Sequence, residues 1–191
     1  MSSDDLDRRI GARIRSLRQA RGLTLDGLAE AAGVSRAMLS RVERGESSPT
    51  AQLLGRVCGG LDTTLSALFA EAEGPSGPLS RRAGQKTWRD PASGYLRRNV
   101  SPAGTGSPVD LVEVEFPPGA TVAFENQRLA GMEQYVWVLD GTLDMGTGDE
   151  TFRLEAGDCL FMRLDLPTRF HNPTERPVRY AVILNRAGGR P

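Results

Sequence analysis

Apolar residues in this chain recur first every three or four positions and later every two. Leu6, Ile10, Ile14 and Leu17 keep helical spacing over residues 4–21, with Asp4, Asp5 and Asp7 at the positive N-terminal end. Gly22 stops that helix. The stretch Leu23–Gly45, LTLDGLAEAAGVSRAMLSRVERG, predicts helix, tight turn, helix. Leu28, Ala29 and Ala32 make the apolar side of the first helix; Leu39 and Val42, three apart, make that of the second. Leu53, Leu54, Val57 and Leu61 carry a fourth helix, and Leu65, Leu68 and Phe69 a fifth over Thr64–Phe69. Five short helices around one core predict an all-α domain ending near Ala72.

The segment Glu73–Leu79, EGPSGPL, holds two prolines and two glycines and predicts a linker. Beyond it strand-like runs recur: Tyr95–Ser101, Val109–Phe116, Gln134–Met145, Thr151–Leu154, Cys159–Arg163 and Val178–Leu184. Turn residues stand at Pro117-Pro118-Gly119, Asp140-Gly141, Gly146-Thr147-Gly148 and Ala156-Gly157-Asp158. Many short strands at regular spacing predict a β-sandwich or barrel. The expected division is residues 1–72, a linker at 73–79 and a β domain over 80–191.

Punctuation sharpens the first part. Gly33 accepts a left-handed turn without a Cβ penalty, and Ser35 can cap the next helix. Pro49 is placed in the first turn of the fourth helix. With Leu39 and Val42 inward, the residues Arg36, Ala37, Ser40, Arg41 and Arg44 point outward. A short, basic helix face suits a DNA major groove.

Composition limits the partners. The formal net charge is zero over 191 residues, so no global field draws the chain to nucleic acid, and DNA affinity must come from a local face. No apolar run is long enough to span a bilayer, and MSSDDLDRR lacks a signal peptide's apolar core; a cytoplasmic protein is expected. Cys58 and Cys159 read as reduced, semi-buried thiols rather than a disulfide.

Thr24, Leu28-Ala29, Gly33-Val34-Ser35, Leu39-Ser40, Glu43-Arg44-Gly45 and Ser48-Pro49-Thr50 sit at the spacings of phage-repressor-like (Cro/C1, or XRE) regulators, which this stretch resembles. The resemblance covers about the first third of the chain. It implies base readout by Arg36, Ala37 and Arg41. Arg can reach guanine O6 and N7, and Ala37 can touch a thymine methyl. It further implies phosphate or base contacts from Ser35 and Ser40 and a phosphate contact from Arg44. Many relatives carry a phosphate-binding Gln where this chain has Leu25, which leaves that phosphate to helix N–H groups. Arg18 and Glu43 match a pair that forms an internal salt bridge in relatives.

The pieces VWVLDGTLDM, FRLEAGDCLFM and PTRFHNP resemble the signature motifs of the cupin family, over roughly Leu79–Ile183. That implies a conical double-sheet barrel with a central pocket. Metal-binding cupins take two His and a Glu or Gln from the first motif and a His from the second. Here the carboxylate position holds Gln134, the two His positions fall within Gln127–Ala130 without a histidine, and the last His position holds Thr168. The lone histidine, His171, alternates away from Thr168's face and reads as a hydrogen-bonded surface or rim residue. One histidine cannot build a two-His-one-carboxylate iron site, so no metal and no cofactor are expected.

The inward positions become Gln134, Val136, Val138, Thr168 and Phe170, with Phe124, Met162 and Tyr180. Either they leave a small-molecule pocket or they simply fill the barrel. The pocket assignment names Gln134, Val136, Thr168, Phe170, Met162 and Tyr180. Trp137 alternates outward, toward a neighbouring sheet or subunit. The favoured reading is a homodimeric transcription regulator. Its head binds a near-palindromic double-stranded operator, and its cupin senses a small-molecule effector or dimerises. The alternative is a cupin-fold iron-dependent oxidative enzyme with a vestigial helix-turn-helix head. A metal-free isomerase would need an acid/base pair, for which only His171, Glu133 and Glu125 stand as candidates.

Overall fold

The structure is a computed structural model and describes residues 3–70, 77–124 and 131–186. The start of the expected linker, the end of the head near Ala72, the ligand positions Gln127–Ala130 and Glu125 lie outside the described residues. The head consists of α1 (Ser3–Ala20), α2 (Leu25–Ala32), α3 (Arg36–Glu43), α4 (Ala51–Gly60) and α5 (Leu65–Ala70).

Local chemistry sets the helix ends. Thr24 Oγ1 accepts the Gly27 N–H at 3.0 Å and Ser35 Oγ the Met38 N–H at 3.2 Å. Gly33 ends α2 at φ 63°, and the Val34 N–H turns back to the Ala29 carbonyl at 2.9 Å. Thr50 caps α4, so Pro49 lies one residue before the cap rather than in the helix's first turn. The reason is competition: the Thr50 hydroxyl captures the Leu53 N–H at 3.2 Å and fixes the start there.

Ile10, Ile14, Leu28, Leu39, Val42, Leu54, Val57, Leu61 and Leu68 fill the head's core. Two devices lock α1 onto α3. A Cβ on Gly11 would lie 2.1 Å from the Val42 carbonyl oxygen, so only glycine allows that approach. Arg18 grips Glu43 with two bonds, Nε to Oε1 at 2.7 Å and Nη2 to Oε2 at 2.8 Å, as the resemblance implies.

The second part comprises β1 (Thr87–Arg89), β2 (Leu96–Asn99), β3 (Val109–Phe116), β4 (Thr121–Phe124), β5 (Glu133–Asp140), β6 (Thr142–Thr147), β7 (Glu150–Glu155), β8 (Cys159–Arg163), β9 (Thr168–His171) and β10 (Val178–Asn185). They pair antiparallel into a six-stranded sheet, β1-β2-β3-β10-β5-β8, and a four-stranded sheet, β4-β9-β6-β7. The run Gln134–Met145 splits at Asp140-Gly141 into β5 and β6. The three-residue β1 and the four-residue β4 and β9 fall below the length at which alternation is legible.

Head and barrel pack on each other. Their buried apolar side chains form one continuous cluster. Phe69 of α5 meets Trp88 of β1 with ring centroids 5.5 Å apart. The buried carboxylate of Asp90 accepts the Ala51 N–H at 2.9 Å, adding an anion to the positive end of α4. Neither cysteine is semi-buried: Cys58 sits wholly inside α4's packed face, and Cys159 is exposed on β8.

Candidate functional site

The first site is the outer face of α3. Ser35, Arg36, Ala37, Arg41 and Arg44 are exposed there and Ser40 is half-buried. Arg36 Nε lies 3.0 Å from Asp26 Oδ1 in a pair open to water on both sides. The Arg41 guanidinium lies 4.0 Å from Met38 Sδ. Arg44 is held harder: Nε and Nη2 each meet a Glu46 carboxylate oxygen at 2.7 Å, and Nη1 donates to Ser40 Oγ. That contact pushes the Arg44 guanidinium up and the Glu46 carboxyl down from their ordinary values. The clamp by Glu46 carries no signal in the repressor-like motif. The opposite face of α3 is fixed by Leu39 and Val42 in the core and by Glu43 on Arg18. The helix is thus a rigid rod with a basic face of arginines around one small residue.

The second site is a cavity of about 70 Å3 between the sheets. Of the expected lining residues, Gln134, Thr168, Phe170, Tyr180 and Phe124 are there. Val136 and Met162 are not. Both face inward and are buried, but they lie in the filled part of the barrel. Met162 stands behind Gln134, taking its Nε2–H on the thioether sulfur at 3.6 Å. Alternation assigns a residue to a face and says nothing of its position along or across the sheet: Val136 lies two residues further along β5, and Met162 lies beside Gln134 on the edge strand β8.

The cavity wall also includes residues outside that expectation, among them Tyr95 just before β2, Arg97 within it, and, from the head, Thr64, Leu65 and Ser66 at the cap and first turn of α5. The head therefore supplies part of the pocket. Arg97 is buried, its Nη2 donates to Ser66 Oγ at 2.7 Å, and its guanidinium lies 5.2 Å from the centre of the Phe69 ring. Burial pushes the Tyr95 and Tyr180 phenols far above their ordinary range, so both are neutral hydroxyls at physiological pH.

His171 faces away from Thr168, as strand alternation requires. Its Nδ1 lies 2.9 Å from Thr121 Oγ1 and 3.3 Å from the Ala120 carbonyl oxygen, at the rim of the four-stranded sheet. Among the described residues no group of three or more His, Cys, Asp or Glu side chains converges as metal ligands would. Gln134 and Thr168, on β5 and β9, both line the cavity, and neither is a strong transition-metal ligand.

On the outer face of the larger sheet, Leu111, Ile183, Tyr135 and Phe161 form one cross-strand row over β3, β10, β5 and β8. Trp137 stands in the next row, 47% exposed. Among the described residues no helix is long and apolar enough to cross a membrane.

Comparison with known proteins matches residues 14–68 to the helix-turn-helix family and residues 112–184 to the cupin domain family. The chain is 28% identical over 182 residues to the HTH-type transcriptional regulator SutR of Escherichia coli, covering 95% of this chain and 97% of SutR. It is 40% identical over 63 residues to the HTH-type transcriptional regulator SinR of Bacillus subtilis, covering 32% of this chain and 57% of SinR. A crystal structure of an HTH_3 family transcriptional regulator from Vibrio cholerae superposes with a TM-score of 0.78 at 25% identity. That match covers 96% of this chain and 98% of the other.

Proposed function

We propose that this chain, an XRE-type helix-turn-helix transcriptional regulator with a C-terminal cupin domain, reads a near-palindromic operator through α3 and answers a small molecule held in the barrel. The observation that carries the DNA half is the exposed trio Arg36, Ala37 and Arg41 on a helix whose back is immobilised by Gly11, Arg18 and Glu43. Arg36 and Arg41 reach base edges, and Ala37 leaves room for the helix to approach. Arg44 and Ser40 meet phosphates. The Arg44–Glu46 pair is exposed and screened by water, so a phosphate can take the place of Glu46.

One head covers a single half-site, so specificity calls for two. The apolar row on the outer sheet, with Trp137 beside it, supports a homodimer built by the cupin domain in the cytoplasm. Exposed aromatics in a continuous patch are the composition of an interface centre.

The barrel works as a sensor without a metal. Its cavity is walled by Gln134, Thr168, Phe170 and Tyr180 and is mostly apolar with a few hydrogen-bonding groups. About one iron, manganese or nickel per chain in elemental analysis would return the oxidative-enzyme reading. The DNA half is tested by selecting bound sequences from a random pool with the native protein. A near-palindrome with half-sites about one helical turn apart is expected; no enriched motif would reject the reading.

A further inference from the structure

We infer that the barrel pocket receives a compact organic monocarboxylate on the Arg97 guanidinium, and that this anion competes with Ser66 for it and so loosens the head from the barrel. The inference rests on the regulator reading and names its ligand class and its relay.

Arg97 is the one charged side chain among the described residues that line the cavity. It is 6% exposed and already acts on the buried carboxylate of Asp110, and an acid that reaches it offers its N–H groups a charge-assisted acceptor. Its planar fork matches a carboxylate with two parallel bonds. Neutral Tyr95 and Tyr180 hydroxyls and the Gln134 amide share the same wall and can hold an oxo, hydroxy or amino substituent. The rest is apolar, Val112, Val114 and Phe170 among it, and fits a short hydrocarbon body.

Volume fixes the size. A cavity of about 70 Å3 takes about two to six water-sized groups at roughly 10–30 Å3 each, which limits the ligand to a very small acid of about two to four carbons.

The relay follows from the same side chain. Arg97 Nη2 donates to Ser66 Oγ at 2.7 Å, and Ser66 lies in the first turn of α5, whose Phe69 lies under the guanidinium and against Trp88. A carboxylate is a stronger acceptor for a guanidinium than a hydroxyl is. Drawing Arg97 toward the acid therefore weakens the tie that seats α5, and with it the head, on β2. By linkage, whatever the acid does to operator affinity, the operator does to acid affinity.

The experiment uses the full chain. Thermal shifts are recorded with C2 to C4 monocarboxylates, plain and bearing 2-oxo, 2-hydroxy or 2-amino groups, each beside its primary amide. At least one acid is expected to raise the melting temperature while its amide does not. Arg97→Gln, shown folded by circular dichroism, is expected to lose that shift. If Arg97→Gln does not fold, Arg97→Lys keeps the charge without the fork and is expected to bind the same acid at least tenfold more weakly. The acid is expected to lower affinity for the selected operator about fivefold or more, and Ser66→Ala to abolish that dependence while still binding the acid. The ligand class is overturned if no acid in the panel stabilises, if amides do as well as acids, or if Arg97→Gln responds like the native chain. The relay is overturned if the acid leaves operator affinity unchanged or Ser66→Ala retains the full response. The thermal shifts involve no DNA, so their failure leaves the operator reading standing, and failure of the DNA selection leaves the ligand result standing.

Discussion

Glu43→Ala separates a structural ion pair from a surface one. The Arg18 and Glu43 side chains are 12% and 6% exposed and share two bonds of 2.7 Å and 2.8 Å. Removing the carboxylate leaves a guanidinium under the head with its one further bond, Nη1 to the Leu23 carbonyl at 3.0 Å. Breaking a fully buried pair costs roughly 3–5 kcal/mol. The head is small and water is close by, which brings the expected cost to about 2–3 kcal/mol. Head and barrel share one core, so the chain is expected to melt as a unit of about the size for which each kcal/mol moves the midpoint by about 2–4 °C. The fall should therefore be about 4–12 °C by circular dichroism. Arg18→Met combined with Glu43→Ala removes the orphaned charge and should recover part of the loss. A fall of less than about 1 °C, or a double variant as unstable as the two single losses added, would refute the reasoning.

Gly11→Ala should destabilise even though alanine is the better helix former by about 1 kcal/mol, because its Cβ would sit 2.1 Å from the Val42 carbonyl oxygen. A melting temperature at or above the native value would show that α1 and α3 can part without loss. Burial pushes the Cys58 thiol up to about 12, so at pH 8 it is protonated and shielded; an aromatic disulfide reagent should count one reactive thiol in the native chain, Cys159, and two after denaturation. Two fast thiols in the native protein would mean that α4 opens readily. Trp137→Glu with Phe161→Glu should yield a monomer in sedimentation while the circular dichroism spectrum is kept; an unchanged dimer would place the interface elsewhere.

The head was legible because its signals are local. Thr24, Ser35 and Gly33 act within a few residues of where they stand, and Leu28, Leu39 and Val42 repeat at helical spacing. Recognition of the cupin motifs likewise located β5, β8 and β9 and turned Trp137 and His171 outward. What escaped depends on distance in space. Arg97 reads as an ordinary solvated charge in a strand, and only α5 folding over the barrel mouth makes it a buried wall residue. Val136 and Met162 share a face with Gln134, but Val136 stands two residues further along β5 and Met162 one strand over, on the edge strand β8. Asp90 gave no hint that it accepts an N–H from a helix 39 residues earlier. Nothing near Gly11 in the sequence signals that its missing side chain is what lets α1 lie against the Val42 carbonyl.

The central claim is that α3 reads base sequence, and repeating the random-pool selection with Arg36→Ala, Arg41→Ala and Arg44→Ala tests it most directly. Arg36 and Arg41 stand five residues apart, about one and a half turns, and both face the groove when the helix enters it obliquely. Arg36→Ala and Arg41→Ala are each expected to cost about 1–3 kcal/mol and to relax preference at one base position per half-site. Arg44→Ala should weaken binding to every sequence alike and flatten the salt dependence. If Arg36→Ala and Arg41→Ala select the native motif with undiminished sharpness, α3 is not the reading helix.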